Sequence, residues 1–294
     1  MLRDLIRSMR PRQWPKNAFV FVALLFDRKF FDPASVWPTV VAFVLLCLMS
    51  GAVYLMNDLA DIESDRRHPT KRDRPLPSGR LNPRVASVAS VALAIFSLVA
   101  GYFLSRELAA ILLLYLLSQV AYTFRLKHVV LIDVLTIAAG FVLRIAAGVA
   151  VIDVERFSPW LYIFGGFLAL FMALGKRRHE LVLLGGEAAN HRAILDDYNL
   201  DLIDRLQSIV TTSAVVSYSL YTFLAEGLPD NHAMMLTIPF VIYGLARYLY
   251  LMHVRGEGGS PDELILRDKP LALTVLIWVC TAAFILYFWG NHAA

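Results

Sequence analysis

The chain has 294 residues, is 58% hydrophobic with a mean hydropathy of +0.58, and carries a formal net charge of +4 at pH 7. That composition excludes a soluble globular domain, which carries far less apolar character at this length. The basic balance needs no nucleic-acid partner, because cations gathered at one membrane surface account for it.

In chain order, residues 1–17 lack the apolar core and small-residue cleavage site of a signal peptide, and 1–16 are the interfacial segment. Leu2, Leu5, Ile6 and Met9 have helical spacing, with Arg3, Arg7 and Arg10 off that face, which predicts an amphipathic helix lying on the membrane interface. Nine apolar runs follow, near the 20 residues needed to cross the hydrocarbon core: 17–32, 36–56, 84–104, 107–124, 129–151, 158–175, 206–225, 233–252 and 271–290. The predicted fold is therefore an all-α, polytopic membrane bundle of nine transmembrane helices, forming one domain over 1–294. Of the 28 Lys and Arg, only Arg28, Lys29, Arg106 and Arg156 fall on the odd-numbered outer side and Arg144 inside a span. This bias places the N-terminus and the long loops in the cytoplasm. Cys47 and Cys280 both lie in spans and give no disulfide or metal pattern, and the histidines form no i,i+4 pair.

The end of the second run carries the most chemistry. In Asn57-Asp58-Leu59-Ala60-Asp61-Ile62-Glu63-Ser64-Asp65, helical steps of three and four put Asp58, Asp61 and Asp65 on one face. Three carboxylates so placed repel one another unless a cation joins them. An oxygen-only set suits Mg²⁺, which typically bridges carboxylates to substrate phosphates. Lys71, Arg72, Arg74 and Arg80 follow directly, and metal plus cations beside a bilayer point to a diphosphate substrate.

Further inner loops carry Tyr122, Arg125 and Lys127; then Gly175-Lys176-Arg177-Arg178-His179-Glu180; then Arg247 through Asp262, Glu263 and Asp268 to Lys269. Such loops can cap a cleft in which water is limited. Adjacent cations such as Lys176, Arg177 and Arg178 recruit acidic lipid or a bound polyanion. Asp196, Asp197, Asp201 and Asp204 read as a wet loop and helix cap or as a second metal motif. Asp133 and Arg144 are eleven residues apart, about three helical turns, and face the same way. Charges at such depth face a bundle interior; Asp133 would line the site, while Arg144 pairs structurally or serves it.

Asn57-Asp58-x-x-Asp61-x-x-x-Asp65 followed by Lys71-x-x-Arg74-Pro75-Leu76-Pro77-Ser78-Gly79 resembles the first aspartate-rich motif of the UbiA superfamily of intramembrane prenyltransferases. The loop opening Gly175-Lys176-Arg177-Arg178-x-Glu180 is similar to the decaprenyl-phosphate phosphoribosyltransferase branch. So are Arg10-Pro11-Arg12-Gln13-Trp14-Pro15-Lys16-Asn17, Ile132-Asp133 with Gly140-Phe141-Val142-Leu143-Arg144, and Pro261-Asp262-Glu263 with Leu266-Arg267-Asp268. One departure is Asp197-x-x-x-Asp201, which spells the second aspartate-rich motif of ordinary members.

The resemblance implies Mg²⁺-dependent transfer of 5-phosphoribose from phosphoribosyl diphosphate to a polyprenyl phosphate in a bacterial or archaeal cytoplasmic membrane. It leaves a homo-oligomer open. Its implied metal residues are Asn57, Asp58, Asp61 and Asp65; Asp58, Asp61, Lys71 and Arg74 would be catalytic. Lys16, Asn57, Arg72, Tyr122, Lys127, Asp133, Lys176, Arg177, Glu180, Arg247, Glu263 and Asp268 would contact substrate. The alternative is an ordinary prenyl transfer from a polyprenyl diphosphate to an aromatic acceptor.

Overall fold

The structure, a computed structural model, describes residues 1–67, 71–154, 158–184, 193–257, 264–265 and 267–289. The described residues are all-helical. Helix starts follow from local chemistry. Asp32, Asn82 and Asp268 each precede a residue–proline or proline start, and their side chains accept from Ala34, Arg84 and Leu271 backbone N–H groups. These are N-caps with proline in the first turn, where its missing N–H costs nothing. Ser105 and Asn199 cap two further helices through Leu108 and Leu202.

The chain divides into two compact units. The first contains Met1–Leu24, Lys29–Leu126 and Leu143–Asp153. It opens with α1 (Leu2–Ser8), and a 3₁₀ segment follows over Pro11–Phe21. The interfacial helix expected over 1–16 thus stops at Ser8: Arg10 takes a left-handed conformation (φ 54°, ψ 60°), and Pro11 and Pro15 disfavour an α-helix beyond it. The same segment occupies 17–21 of the span expected at 17–32, whose one α-helix is the short α2 (Val22–Phe26).

Helix α3 (Pro33–Ala60) is the centre of this unit. Its Leu45, Leu46, Met49 and Val53 pack with Leu108, Leu112 and Tyr115 of α6 (Arg106–Phe124), and with Val20 and Ala147. A second cluster joins Met9, Leu55, Leu76, Leu81 and Ala86 beside the motif end of α3. Helix α5 (Pro83–Leu104) does the opposite, exposing Val88, Val91, Ile95, Phe96, Val99 and Phe103. An exposed apolar face of that length belongs against lipid. Within lipid, packing and buried polar bonds rather than water exclusion hold such helices together.

The second unit contains Leu25–Arg28, Lys127–Val142 and Val154–Ala294. Helix α7 (Ile132–Val149) contributes its first half here and its second half to the first unit. Then come α8 (Pro159–Leu184), α9 (Leu200–Leu224), α10 (Ile238–His253) and α11 (Lys269–Phe284). Helix α9 packs along α8, and Tyr218 at its buried face bonds Thr237 (2.7 Å) and the indole of Trp278 (2.8 Å).

Among the described residues, seven stretches are long and apolar enough to cross a membrane: Pro33–Ala60, Pro83–Leu104, Arg106–Phe124, Ile132–Val149, Pro159–Leu183, Ala233–His253 and Lys269–Trp289. The protein is a multi-pass membrane protein. Two of the nine expected spans are not among these seven. Residues 17–32 form no long helix; 206–225 does lie in a long helix, α9, but one rich in Ser and Thr.

Candidate functional site

In the first unit, the aspartate motif begins on the last turn of α3. The helix breaks at Asp61 (φ −102°, ψ 10°) and resumes as α4 (Ile62–Arg67). The single unbroken face expected from the spacing is therefore interrupted at its middle carboxylate. Asp58 and Asp65 are both buried, and one nitrogen of Arg74 ties them together, 2.7 Å from Asp65 Oδ2 and 3.3 Å from Asp58 Oδ1. Lys71 Nζ stands 3.8 Å from Asp65 Oδ1. Arg10 also donates to Asp58, and its guanidinium lies over the Tyr54 ring at 4.7 Å. Tyr54 in turn donates to Gln13 (2.7 Å). Asn57 Oδ1 accepts from the hydroxyl of Thr123 on α6.

Asp61 is half-buried, and among the described residues no three His, Cys, Asp or Glu side chains stand together as a metal-sized group. Nevertheless, the residues fit a hard cation. Two buried carboxylates already converge on one positive group, and their donors are oxygen alone. Arg72 is exposed, whereas Lys16 in the 3₁₀ segment and Tyr122 in the last turn of α6 are half-buried.

Arg144 is buried in this unit. It donates to Asn17 Oδ1 (2.7 Å) and the Tyr115 hydroxyl (3.1 Å) and lies over the Tyr115 ring. Ser50 joins the same network, 3.4 Å from both Asn17 and Tyr115. These partners tie α7 to the 3₁₀ segment, α3 and α6.

The second unit has its own polar centre. Arg177 on α8 donates from Nε to Asp133 Oδ2 (2.8 Å) and from Nη1 to Glu180. Asp133 Oδ1 also accepts from the Tyr198 hydroxyl (2.7 Å), which accepts from Leu131 N (2.8 Å). Burial, then donation to Asp133, pushes the Tyr198 hydroxyl above its ordinary range and keeps it protonated. The Lys176–Arg178 triplet does not act as one patch. Successive helical residues point about 100° apart, so Lys176 is exposed, Arg177 is buried, and Arg178 pairs with Asp204 (2.8 Å).

Arg247 grips Asp268 with two nitrogens, at 3.1 and 2.9 Å. This pair holds the Asp268 carboxyl below its ordinary range. Asp201 pairs with Arg205 in the first turns of α9, where both are exposed, and Asp197 is exposed as well. Both are thus accessible, and the N-cap of α9 is Asn199 rather than either aspartate. Lys127 is half-buried in a 3₁₀ turn over Leu126–His128; Glu263 lies outside the described residues.

The sequence reasoning singled out neither Thr123 nor Tyr198 and did not count Arg10 among the site residues. Arg10 opens one of the quoted motifs and precedes a proline, so its position was readable, but its partnership with Asp58 was not. Thr123 and Tyr198 carry no local signal.

A model of the UbiA prenyltransferase family matches residues 18–260. The decaprenyl-phosphate phosphoribosyltransferase of Mycolicibacterium smegmatis is 34% identical over 299 residues, covering 98% of this chain and 94% of that protein. The protein of that name from Corynebacterium glutamicum is 33% identical, covering 96% of this chain and 86% of its own length. Among solved structures, a UbiA homolog from Archaeoglobus fulgidus bound to GPP and Mg²⁺ shares the fold. Its TM-score is 0.74 at 18% identity, over 96% of this chain and 99% of that one.

Proposed function

The chain belongs to the UbiA prenyltransferase family, and from that membership we propose that it transfers 5-phosphoribose from phosphoribosyl diphosphate to a polyprenyl phosphate, releasing diphosphate. The observation that carries this reading is the near end-to-end match, at 33–34% identity, to relatives named decaprenyl-phosphate phosphoribosyltransferase. In the reaction the bond from ribose C1 to the diphosphate oxygen breaks, and an oxygen of the lipid phosphate bonds C1. That phosphate is already ionised at neutral pH, so no general base is required.

Asp58, Asp61 and Asp65, with Asn57, are the residues that would hold Mg²⁺. Bound there, the ion would neutralise diphosphate charge. Arg74, Lys71 and Arg10 already lie against the same carboxylates and are placed to turn toward a polyanion. A cation stabilising the leaving diphosphate contributes roughly 3 kcal/mol to lowering the barrier, by analogy with one oxyanion donor. Lys16, Arg72, Lys127 and Lys176 are proposed phosphate contacts, and Tyr122 and Glu180 proposed hydroxyl contacts. Asp133 and Arg177 are buried together, so their proposed role is to fix the carboxylate of Glu180. The Arg247–Asp268 pair is proposed to shape the loop before α11.

The finer topology is also proposed: nine crossings, counting 17–32 and α9, with the N-terminus, the aspartate motif and the capping loops in the cytoplasm. A donor-swap assay on purified protein tests the reaction. Radiolabelled phosphoribosyl diphosphate with polyprenyl phosphate should yield labelled lipid, lost on chelation. Product only from polyprenyl diphosphate with an aromatic acid would overturn the reading.

A further inference from the structure

Helix α9 is polar along one side without serving either centre described above. Asp204, Gln207, Ser208, Thr211 and Thr212 recur at three- and four-residue steps, so they share one face. Gln207 donates to the backbone carbonyl of Phe171 (3.3 Å), near the middle of the apolar helix α8. The polar face therefore runs from the Arg178–Asp204 pair about 12 Å along the helix to Thr212, into the depth of a membrane-spanning neighbour. It opens on a groove of about 310 Å³ that Leu249 and His253 of α10 close from the other side.

The hydrogen-bond inventory defines the complement. The hydroxyls of Ser208, Thr211 and Thr212 donate to the carbonyls four residues back, at 2.9, 2.6 and 3.0 Å. Their protons are used, so they face the groove as acceptors. The Phe171 carbonyl can only accept, which fixes the Gln207 amide with its nitrogen toward Phe171. The other end, Gln207 Oε1, is buried without a hydrogen-bond partner, in a side chain 1% exposed. Leaving such an acceptor dry carries the full desolvation penalty of the group. The charge of Asp204 is already answered by Arg178. The lining is thus rich in acceptors, its remaining donors being His253 and the second N–H of Gln207, and it carries no unbalanced negative charge that would call for an ammonium.

We propose that this groove binds a polyol, a group presenting adjacent hydroxyl donors, as the headgroup of a membrane lipid or as a free sugar alcohol. Its hydroxyl protons would satisfy Gln207 Oε1 and the Thr211 and Thr212 oxygens, and Leu249 would pack on the carbon skeleton.

The test is native mass spectrometry on delipidated protein, with no substrate present, so its failure leaves the phosphoribosyl reading untouched. Phosphatidylglycerol, phosphatidylethanolamine and phosphatidylcholine with the same acyl chains are compared, with free glycerol and inositol as separate arms. Phosphatidylglycerol should be retained over phosphatidylcholine, and the preference should fall about tenfold in Gln207→Leu. Thr212→Val, at an exposed position, serves as the second variant should Gln207→Leu not fold, and should reduce the same preference. Selective, variant-sensitive binding of a free polyol alone would keep the chemistry and assign the soluble source. Equal retention of all three lipids without polyol binding, a preference for phosphatidylethanolamine, or insensitivity to both variants would each overturn the proposal.

Discussion

Arg177, 1% exposed, and Asp133, fully buried, form an ion pair at 2.8 Å that links α8 to the start of α7. A buried pair of this kind contributes less as a pair than its loss costs when one partner is removed, because the remaining charge is stranded.

Asp133→Leu alone should therefore destabilise the protein by about 3–5 kcal/mol, and adding Arg177→Met should recover most of that loss. A double-mutant cycle of unfolding in detergent reads this directly. If the double variant is as unstable as both single losses added together, the pair is not coupled as described.

Asp61→Ala should abolish turnover although it leaves the Asp58–Arg74–Asp65 bridge intact. Chelation of wild type should do the same, with activity returning on Mg²⁺ addition. Measured Mg²⁺ binding separates the two effects: wild-type affinity retained in Asp61→Ala would remove Asp61 from the metal set.

Arg10 holds a left-handed backbone, which costs a non-glycine residue on the order of 1–3 kcal/mol and persists only where surroundings over-determine it. Its contacts to Asp58 and the Tyr54 ring need a planar, multi-donor head. Arg10→Ala should lower kcat/KM by about a hundredfold, and Arg10→Lys should rescue little of it. Steady-state kinetics on both variants decide, and full rescue by lysine would reduce Arg10 to a point charge.

Asp268 supplies a pH test. Its folded carboxyl is held below the ordinary value by the two Arg247 hydrogen bonds. The stability it contributes is thus present above the ordinary carboxylate pKa, about 4, and is lost as pH falls through the lower folded value. Thermal unfolding of wild type should weaken over that acidic window more than unfolding of Asp268→Asn. Parallel curves would remove the linkage.

What the sequence made legible was whatever depends on local spacing. Long apolar runs marked the seven membrane-length stretches found among the described residues. The aspartate motif and the nearby Lys71 and Arg74 likewise lie within one short stretch. Partners separated by many residues were not legible. Arg10 reaches Asp58 across 48 positions and Tyr198 reaches Asp133 across 65. The triplet at 176–178 misled because adjacency in the chain is divergence on a helix. The 17–32 run starts in a 3₁₀ segment and holds only a short α-helix, because hydropathy ignores what Pro11 and Pro15 do to the backbone that enters it.

Gly148 on α7 leaves so little room that a Cβ there would stand 2.0 Å from the carbonyl oxygen of Val20. The 3₁₀ segment therefore rests on bare backbone, close to where Arg144 donates to Asn17 across 127 positions. During synthesis this segment leaves the ribosome more than a hundred residues before the surface that seats it, which emerges only with α7. It must wait, its irregular backbone still solvated, for a helix made much later. A methyl at position 148 would then act as an assembly defect, stalling closure of the first unit while each separate helix inserts normally.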